Sequence, residues 1–393
     1  MKIKMKEFYR LCRDQYKIRS YAQRMRDGRK QPEIKAGTVF LMMVLMIAWG
    51  KRHFLQMDQL ARRRAVKRLL GCPQRAMVCS DSTLERSLPG FEIEPVRALL
   101  ARIYESQPIQ AVQVRVGRHR LRLGAIDGSQ FGHFLACGLL ILGRSADLWA
   151  DAEPMEKRGK ELPTSRRLLD RCVQRLGPGF LDLLLLDGLY VAQDFINHCL
   201  QAQIDVAIKT DEEGRLIIEQ ANALFDHRQI FTGVEYQEGF DLERWCQYQV
   251  WACGGFHHIG VEAPFWVARI QEDYPKSPPD KQHRLFYVLT TRPGLSALEL
   301  REVGHRRWQV ENNGFRALNA LAHTKRVFTH DDHSFLAALL IFLVAFNLIH
   351  LFASQIDPHW LRQELGAVRV TISLVCSLLV ESLFAQYGDL DSS

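Results

Sequence analysis

Three acidic residues in this 393-residue chain have neighbours that point to chemistry rather than to a solvated surface. Asp127 closes the alternating stretch "RLRLGAIDGSQ", and Asp187 closes the leucine run of "LDLLLLDGLY". Glu311 lies in "HRRWQVENNGFR". Burying a carboxylate is costly unless it is paired or binds a metal. At the carboxyl end of a central strand that cost falls, because the residue emerges where open α/β sheets build their sites. Two Asp-Gly strand ends in one α/β region place two carboxylates on one sheet edge, and a later helix supplies the third. Three convergent carboxylates suit hard divalent cations, magnesium or manganese. A pair of such ions clamps the attacking and leaving oxygens of a phosphoryl transfer.

The elements that must position them are legible in the patterning. Residues 113–130 alternate as a strand, and 133–143 read as a second strand or as two with a turn at Gly138. Residues 162–176 form an amphipathic helix capped by Thr164 or Ser165. Residues 180–187 are too uniformly apolar for a half-exposed strand and suit a central one. A helix over 191–202 and a strand over 204–210 follow. The aromatic and β-branched runs "RLIIEQ", "QYQVWAC", "FWVARIQ" and "RLFYVLTT" read as strands of a β-rich insertion, with a loop at 277–283. Ser296, with Glu299 three residues on, opens the helix that leads to Glu311. In "CSDSTLERSLPGFE", Ser80, Asp81 or Ser82 caps a short helix, and Glu85 completes a capping box with Ser82.

Net charge is +8 and the isoelectric point about 9.0, which favours a polyanionic partner. The positive charge sits at the front. Residues 1–30 carry an excess of +8 and residues 51–75 one of +7, so the remainder is net negative. Nine cysteines, an odd count without a CxxC pair, indicate reduced buried thiols. No signal-peptide pattern opens the chain. The run 334–352 reaches membrane-spanning length, but it carries Asn347 and His350 and is read as a buried helix. The cluster "FTHDDHSF" before it is read as a polar cap rather than a metal site. Neither a dinucleotide fingerprint nor a P-loop is present.

The stretches "SDSTLERSL", "AIDGSQ", "GKELPTSRRLLDR", "LLLLDGLYVAQDFINHC" and "HRRWQVENNGFRALN", in this order, resemble the DDE transposases of bacterial insertion sequences, in the branch with a β-strand insertion before the glutamate. The resemblance covers roughly residues 80–350. It implies an α/β fold: an RNase H-like mixed sheet flanked by helices, a β-rich insertion and an all-helical N-terminal DNA-binding region. The expected divisions are 1–110 (helical, basic), 111–210 (first part of the core), 211–292 (insertion), 293–356 (last part of the core) and 357–393 (helical tail). It also implies hydrolysis at transposon ends and strand transfer of the 3′-hydroxyl, with Asp127, Asp187 and Glu311 as catalytic ligands of two Mg²⁺ or Mn²⁺ ions. The family's last helix reads Tyr-x-x-Arg-x-x-x-Glu-x-x-x-x-x-x-Lys. Arg307 and Glu311 match it, but Gly304 and Leu318 stand at the tyrosine and lysine positions.

DNA contacts are expected from Arg307, Tyr190 and Trp308, with Arg316, Lys325 or Arg326 replacing the lysine. Arg62, Arg63, Arg64, Lys67 and Arg68 would serve the basic front. The implied partner is double-stranded DNA, as inverted repeats and target, bound by a homodimer in the cytoplasm near the nucleoid, with no membrane. Two other readings stand beside this one: a metal-dependent nuclease without strand transfer, and an inactive or domesticated DNA-binding descendant.

Overall fold

A computed structural model describes residues 4–51, 53–70, 79–324, 329–356 and 371–387. Its helices are α1 Met5–Arg10, α2 Ile18–Arg24, α3 Ala36–Ala48, α4 Phe54–Ala61, α5 Arg64–Leu70, α6 Asp81–Ser87, α7 Glu94–Glu105, α8 Glu161–Leu176, α9 Gln193–Gln201, α10 Leu216–Asp226, α11 Ala297–Arg306, α12 Ala317–Ala322, α13 Asp332–Ser354 and α14 Ile372–Tyr387. Its strands are β1 Val114–Val116, β2 His119–Leu121, β3 Leu123–Phe131, β4 Phe134–Leu142, β5 Leu148–Pro154, β6 Leu183–Asp187, β7 Asp205–Thr210, β8 Glu235–Asp241, β9 Cys246–Phe256, β10 Phe265–Asp273 and β11 His283–Thr290. The fold class is mixed α/β, with a mixed sheet flanked by helices.

The chain forms two compact units, and neither is continuous in sequence. The first comprises residues 1–111, 128–158 and 313–393. It holds the end of β3 together with the antiparallel pair β4 and β5, and most of the helices. At its centre runs α13, whose apolar stretch is 94% buried. Asn347 in that helix pairs twice with the backbone of Trp149, accepting from its N–H and donating to its carbonyl, each at 2.8 Å. The amide thereby satisfies two backbone groups of β5 inside the core. The polar cluster before α13 is its cap: the Asp331 carboxylate accepts from the Ser334 N–H at 2.7 Å. Arg97, 1% exposed, is neutralised by Asp151 at 3.1 Å and Glu153 at 3.2 Å.

The second unit comprises residues 112–127 and 159–312. Its strand order is β3-β6-β7-β11-β10-β9-β8, with β3, β6 and β7 parallel and the remainder antiparallel. The insertion strands thus extend the edge of β7. Directly paired residues share a face, and neighbours along a strand alternate. Phe286 and Val288 lie against Gly304 of α11, whereas the Tyr287 hydroxyl accepts from Asn222 of α10 at 3.0 Å. Helices α10 and α11 therefore cover opposite faces. On the α11 face, Val288 pairs with Lys209, and Lys209 with Asp187.

Helix α11 is anchored to this face by Glu272 of β10, which is 1% exposed. Its carboxylate accepts from Arg301 Nε at 2.6 Å, His305 Nε2 at 2.7 Å and the Tyr274 hydroxyl at 2.7 Å. Burial alone would push this acid up, but His305, Tyr274 and Arg301 hold it at about 2. Because its pKa is lowered on folding, its contribution is present above the ordinary carboxylate pKa and is lost as pH falls towards 2. Glu272→Gln keeps an acceptor but loses the charge. It is expected to lower stability at pH 7 by about 1–3 kcal/mol, and to remove part of the acid sensitivity. Urea unfolding at pH 7 and pH 4 checks both.

Several local expectations are corrected. "RLIIEQ" is not a strand: α10 begins at Leu216, and Ile217, Ile218, Ala221 and Phe225 bury one helical face. Residues 113–130 form a short hairpin, β1 with β2, before β3. Residues 134–142 are one strand, without a turn at Gly138. Helix α8 starts at Glu161, so Thr164 and Ser165 lie buried within it and do not cap it. Helix α6 is capped by Ser80, which accepts from the Thr83 N–H at 3.2 Å. The Ser296–Glu299 capping box forms as expected.

Candidate active site

Strands β3 and β6 pair in parallel at Leu123–Leu183, Gly124–Leu184 and Ala125–Leu185. Two residues further along each strand stand Asp127 and Asp187. Asp187 ends β6, and its carboxylate accepts from the Leu189 N–H at 3.0 Å, capping the turn Gly188–Tyr190. Gly188 is required there, because a Cβ would lie 2.7 Å from Thr210 Oγ1. Asp127 does not end its strand as expected. It sits midway along β3, which continues to Phe131. Glu311 lies in a π-helical stretch, Val310–Arg316, just beyond α11. Such wide turns are frequent at functional sites.

One guanidinium gathers all three carboxylates. Arg307 Nη2 lies 3.0 Å from Asp187 Oδ2 and 3.4 Å from Asp127 Oδ2, and Nη1 donates to Glu311 Oε1. The side chains grade from buried to open: Asp127 is 12% exposed, Asp187 36% and Glu311 38%. Asp127 therefore carries the desolvation cost. Burial pushes it up to about 7; Arg307 counters that, while Glu161, Asp187 and Glu311 add to it. Burial pulls Arg307 down, but Asp127, Asp187 and Glu311 outweigh it and raise the pKa.

Whether these residues fit a cation is decided by donors and charge. Among the described residues no three His, Cys, Asp or Glu side chains form a ready cage. The Arg307 guanidinium lies between the carboxylates instead. The donor set nevertheless suits hard divalent ions: three carboxylates converge, and the buried one is held in an unfavourable state. Arg307 Nε is also buried without a partner. Asp127, Asp187 and Glu311 are the residues that would hold such ions.

The other expected site residues divide sharply. Trp308 is 49% exposed beside Arg307. Tyr190 is 0% exposed. Its hydroxyl is 2.8 Å from Ser165 Oγ and donates to Glu161 Oε1 at 3.3 Å, so it braces α8 and cannot meet DNA. Arg316 is exposed and lies in the first unit. Lys325, Arg326 and the side chain of Arg68 lie outside the described residues. Arg62 and Arg64 are exposed, and Arg63 and Lys67 half-buried, at the junction of α4 and α5; Arg62 pairs with Asp58 at 2.9 Å. Gly304 and Leu318 have packing reasons for departing from the family pattern. A Cβ at 304 would lie 2.8 Å from Val288, and Leu318 is fully buried. Glu161 was missed as a partner of the site, although it lies within the quoted stretch "GKELPTSRRLLDR".

Fold and site together define a mixed α/β protein with a carboxylate–guanidinium cluster where neighbouring parallel strands meet the end of a helix. No protein-family model matches the chain, and no curated protein sequence does. Among solved structures it is similar to a cryo-EM structure of the piggyBac transposase synaptic complex with hairpin DNA, at 10% sequence identity and a TM-score of 0.43. The match covers 99% of this chain and 83% of that one. A likeness this faint decides nothing about chemistry.

Proposed function

We propose that the chain is a DDE-type DNA transposase of the insertion-sequence branch, which cuts phosphodiesters at transposon ends and transfers the 3′-hydroxyl into target DNA. One observation carries this reading. Asp127 and Asp187 each stand two residues beyond the pair Ala125–Leu185 on neighbouring parallel strands, and Glu311, from a distant part of the chain, converges on the same guanidinium. Two Mg²⁺ or Mn²⁺ ions bound by these oxygens would supply the charge that activates a nucleophile and stabilises the leaving oxygen. The remaining work falls to the chain. Asp127 provides a fixed, buried anchor point. Asp187 and Glu311 offer oxygens to the open side. Arg307 offsets part of the cluster's negative charge in the absence of DNA and presents planar donors suited to a phosphate.

In this reading residues 111–210 and 293–356 make up an RNase H-like core, interrupted by 211–292. Residues 1–110, with Arg62, Arg63, Arg64, Lys67 and Arg68, hold inverted-repeat phosphates; of the expected tail, 357–370 and 388–393 lie outside the described residues. Two copies act together on double-stranded DNA in the cytoplasm, near the nucleoid. The test incubates the full chain and Mg²⁺ with labelled duplexes carrying the repeats that flank its gene. Cut ends joined to target DNA support transposition. Cutting without joining favours a nuclease. Binding without cutting favours a non-catalytic descendant, the reading to which the three-way engagement of Arg307 gives some weight.

A further inference from the structure

We infer that the Lys209 ammonium takes a phosphodiester of bound DNA beside the carboxylate cluster, with the Phe286 and Trp308 rings as the walls that hold it there. The inference rests on the DNA-cutting reading above and adds a binding residue to that site. Lys209 pairs with Asp187 across β6 and β7, so both side chains leave the sheet on the α11 face. Its Nζ lies 3.9 Å from the centroid of Phe286 and 5.2 Å from that of Trp308. Trp308 directly follows Arg307, so this amine and the guanidinium flank one stretch of the same face.

Lys209 faces rings where most nearby cations face carboxylates. Of the nearby cations, Arg307 pairs with three carboxylates, Arg301 with Glu272 and Asp241, and Arg215 with Glu212, while Arg284 lies over the Tyr274 ring. Among the described residues Lys209 makes ring contacts and no ion pair. Burial lowers its pKa to about 8; Glu272 and Asp211 favour its charge from a distance, while Arg307 and Arg284 oppose it. A cation withdrawn from water beside two others is poorly compensated by ring faces alone. An anionic ligand would complete it. A DNA phosphate is the anion that a site next to Asp187 would meet, and Trp308, one of the two rings beside the amine, is half-exposed.

The experiment measures binding of a fluorescein-labelled duplex, carrying the flanking repeat, to the full chain by anisotropy in EDTA across a salt series. Lys209→Gln is expected to bind about tenfold more weakly. Its slope of log K against log salt should be shallower by about one, while Lys209→Arg keeps the wild-type slope. If Lys209→Gln does not fold, Lys209→Met is carried through the same series. Wild-type affinity and slope in the neutral variant overturn the inference and leave the transposase reading standing. A wild-type chain that binds no duplex removes both. Replacing chloride by inorganic phosphate at equal ionic strength should not displace the duplex. Inorganic phosphate that binds wild type but not Lys209→Gln, with duplex affinity unchanged in both, identifies a free-anion site and overturns the assignment to DNA.

Discussion

Asp187→Asn is expected to reduce Mg²⁺-dependent cleavage of the element's end by at least about 10³-fold, which corresponds to about 4 kcal/mol of transition-state stabilisation. The fold should survive. The amide oxygen can still accept from the Leu189 N–H, and the side chain is more than one-third exposed, so no buried charge is stranded. What disappears is one unit of negative charge on the open side of the cluster. Duplex binding in EDTA should stay within about threefold of wild type, because phosphate contacts come from cations. Cleavage rates from end-labelled duplex, with melting temperature and anisotropy on the same preparations, separate these effects. Full activity in a folded Asp187→Asn chain would remove the residue from the mechanism.

Arg307→Ala carries the second large effect, and its size depends on the ions present. Without divalent ions the substitution leaves Asp127, Asp187 and Glu311 facing one another with no guanidinium among them. A fully buried pair broken in this way loses about 3–5 kcal/mol. Two of these carboxylates are more than one-third exposed, so water relieves part of the strain and about 2–3 kcal/mol is expected. Mg²⁺ or Mn²⁺ should restore most of that loss in the variant and add less to wild type, whose guanidinium already offsets one of the carboxylate charges. Urea unfolding in EDTA and in Mg²⁺ reads the difference directly. No ion response in either protein would show that the carboxylates do not share a cation site. Cleavage should fall in the variant even in Mg²⁺, by roughly 10²-fold, if Arg307 also grips a phosphate.

Local sequence settled those features that depend only on neighbouring residues. The end of the leucine run placed Asp187 at the strand terminus, where it caps its own turn. Ser296 and Glu299 began α11 through a reciprocal cap. The uncharged run 334–352 formed the buried helix, and its lone Asn347 found backbone partners in β5. In each case the deciding forces act within a few residues or follow from the apolar length of a segment.

Tertiary structure decided the rest. Asp127 looked like a strand end, yet β3 runs on past it, because pairing rather than propensity sets a strand's length. "RLIIEQ" has the composition of a strand and folds as α10, because its apolar residues fill a helical face against the sheet. Tyr190 matched a DNA-contact pattern and instead lies wholly in the interior. The roles of Arg307 and Lys209 depend on which residues, more than a hundred positions away for Arg307 and more than seventy for Lys209, share their sheet face. Strand register fixes that placement, and a shift of one residue would turn every side chain to the opposite face. No local pattern contains such information, which is why the three acids and Arg307 could be named from the sequence, while the convergence of all three acids on that one guanidinium and the place of Lys209 beside it could not.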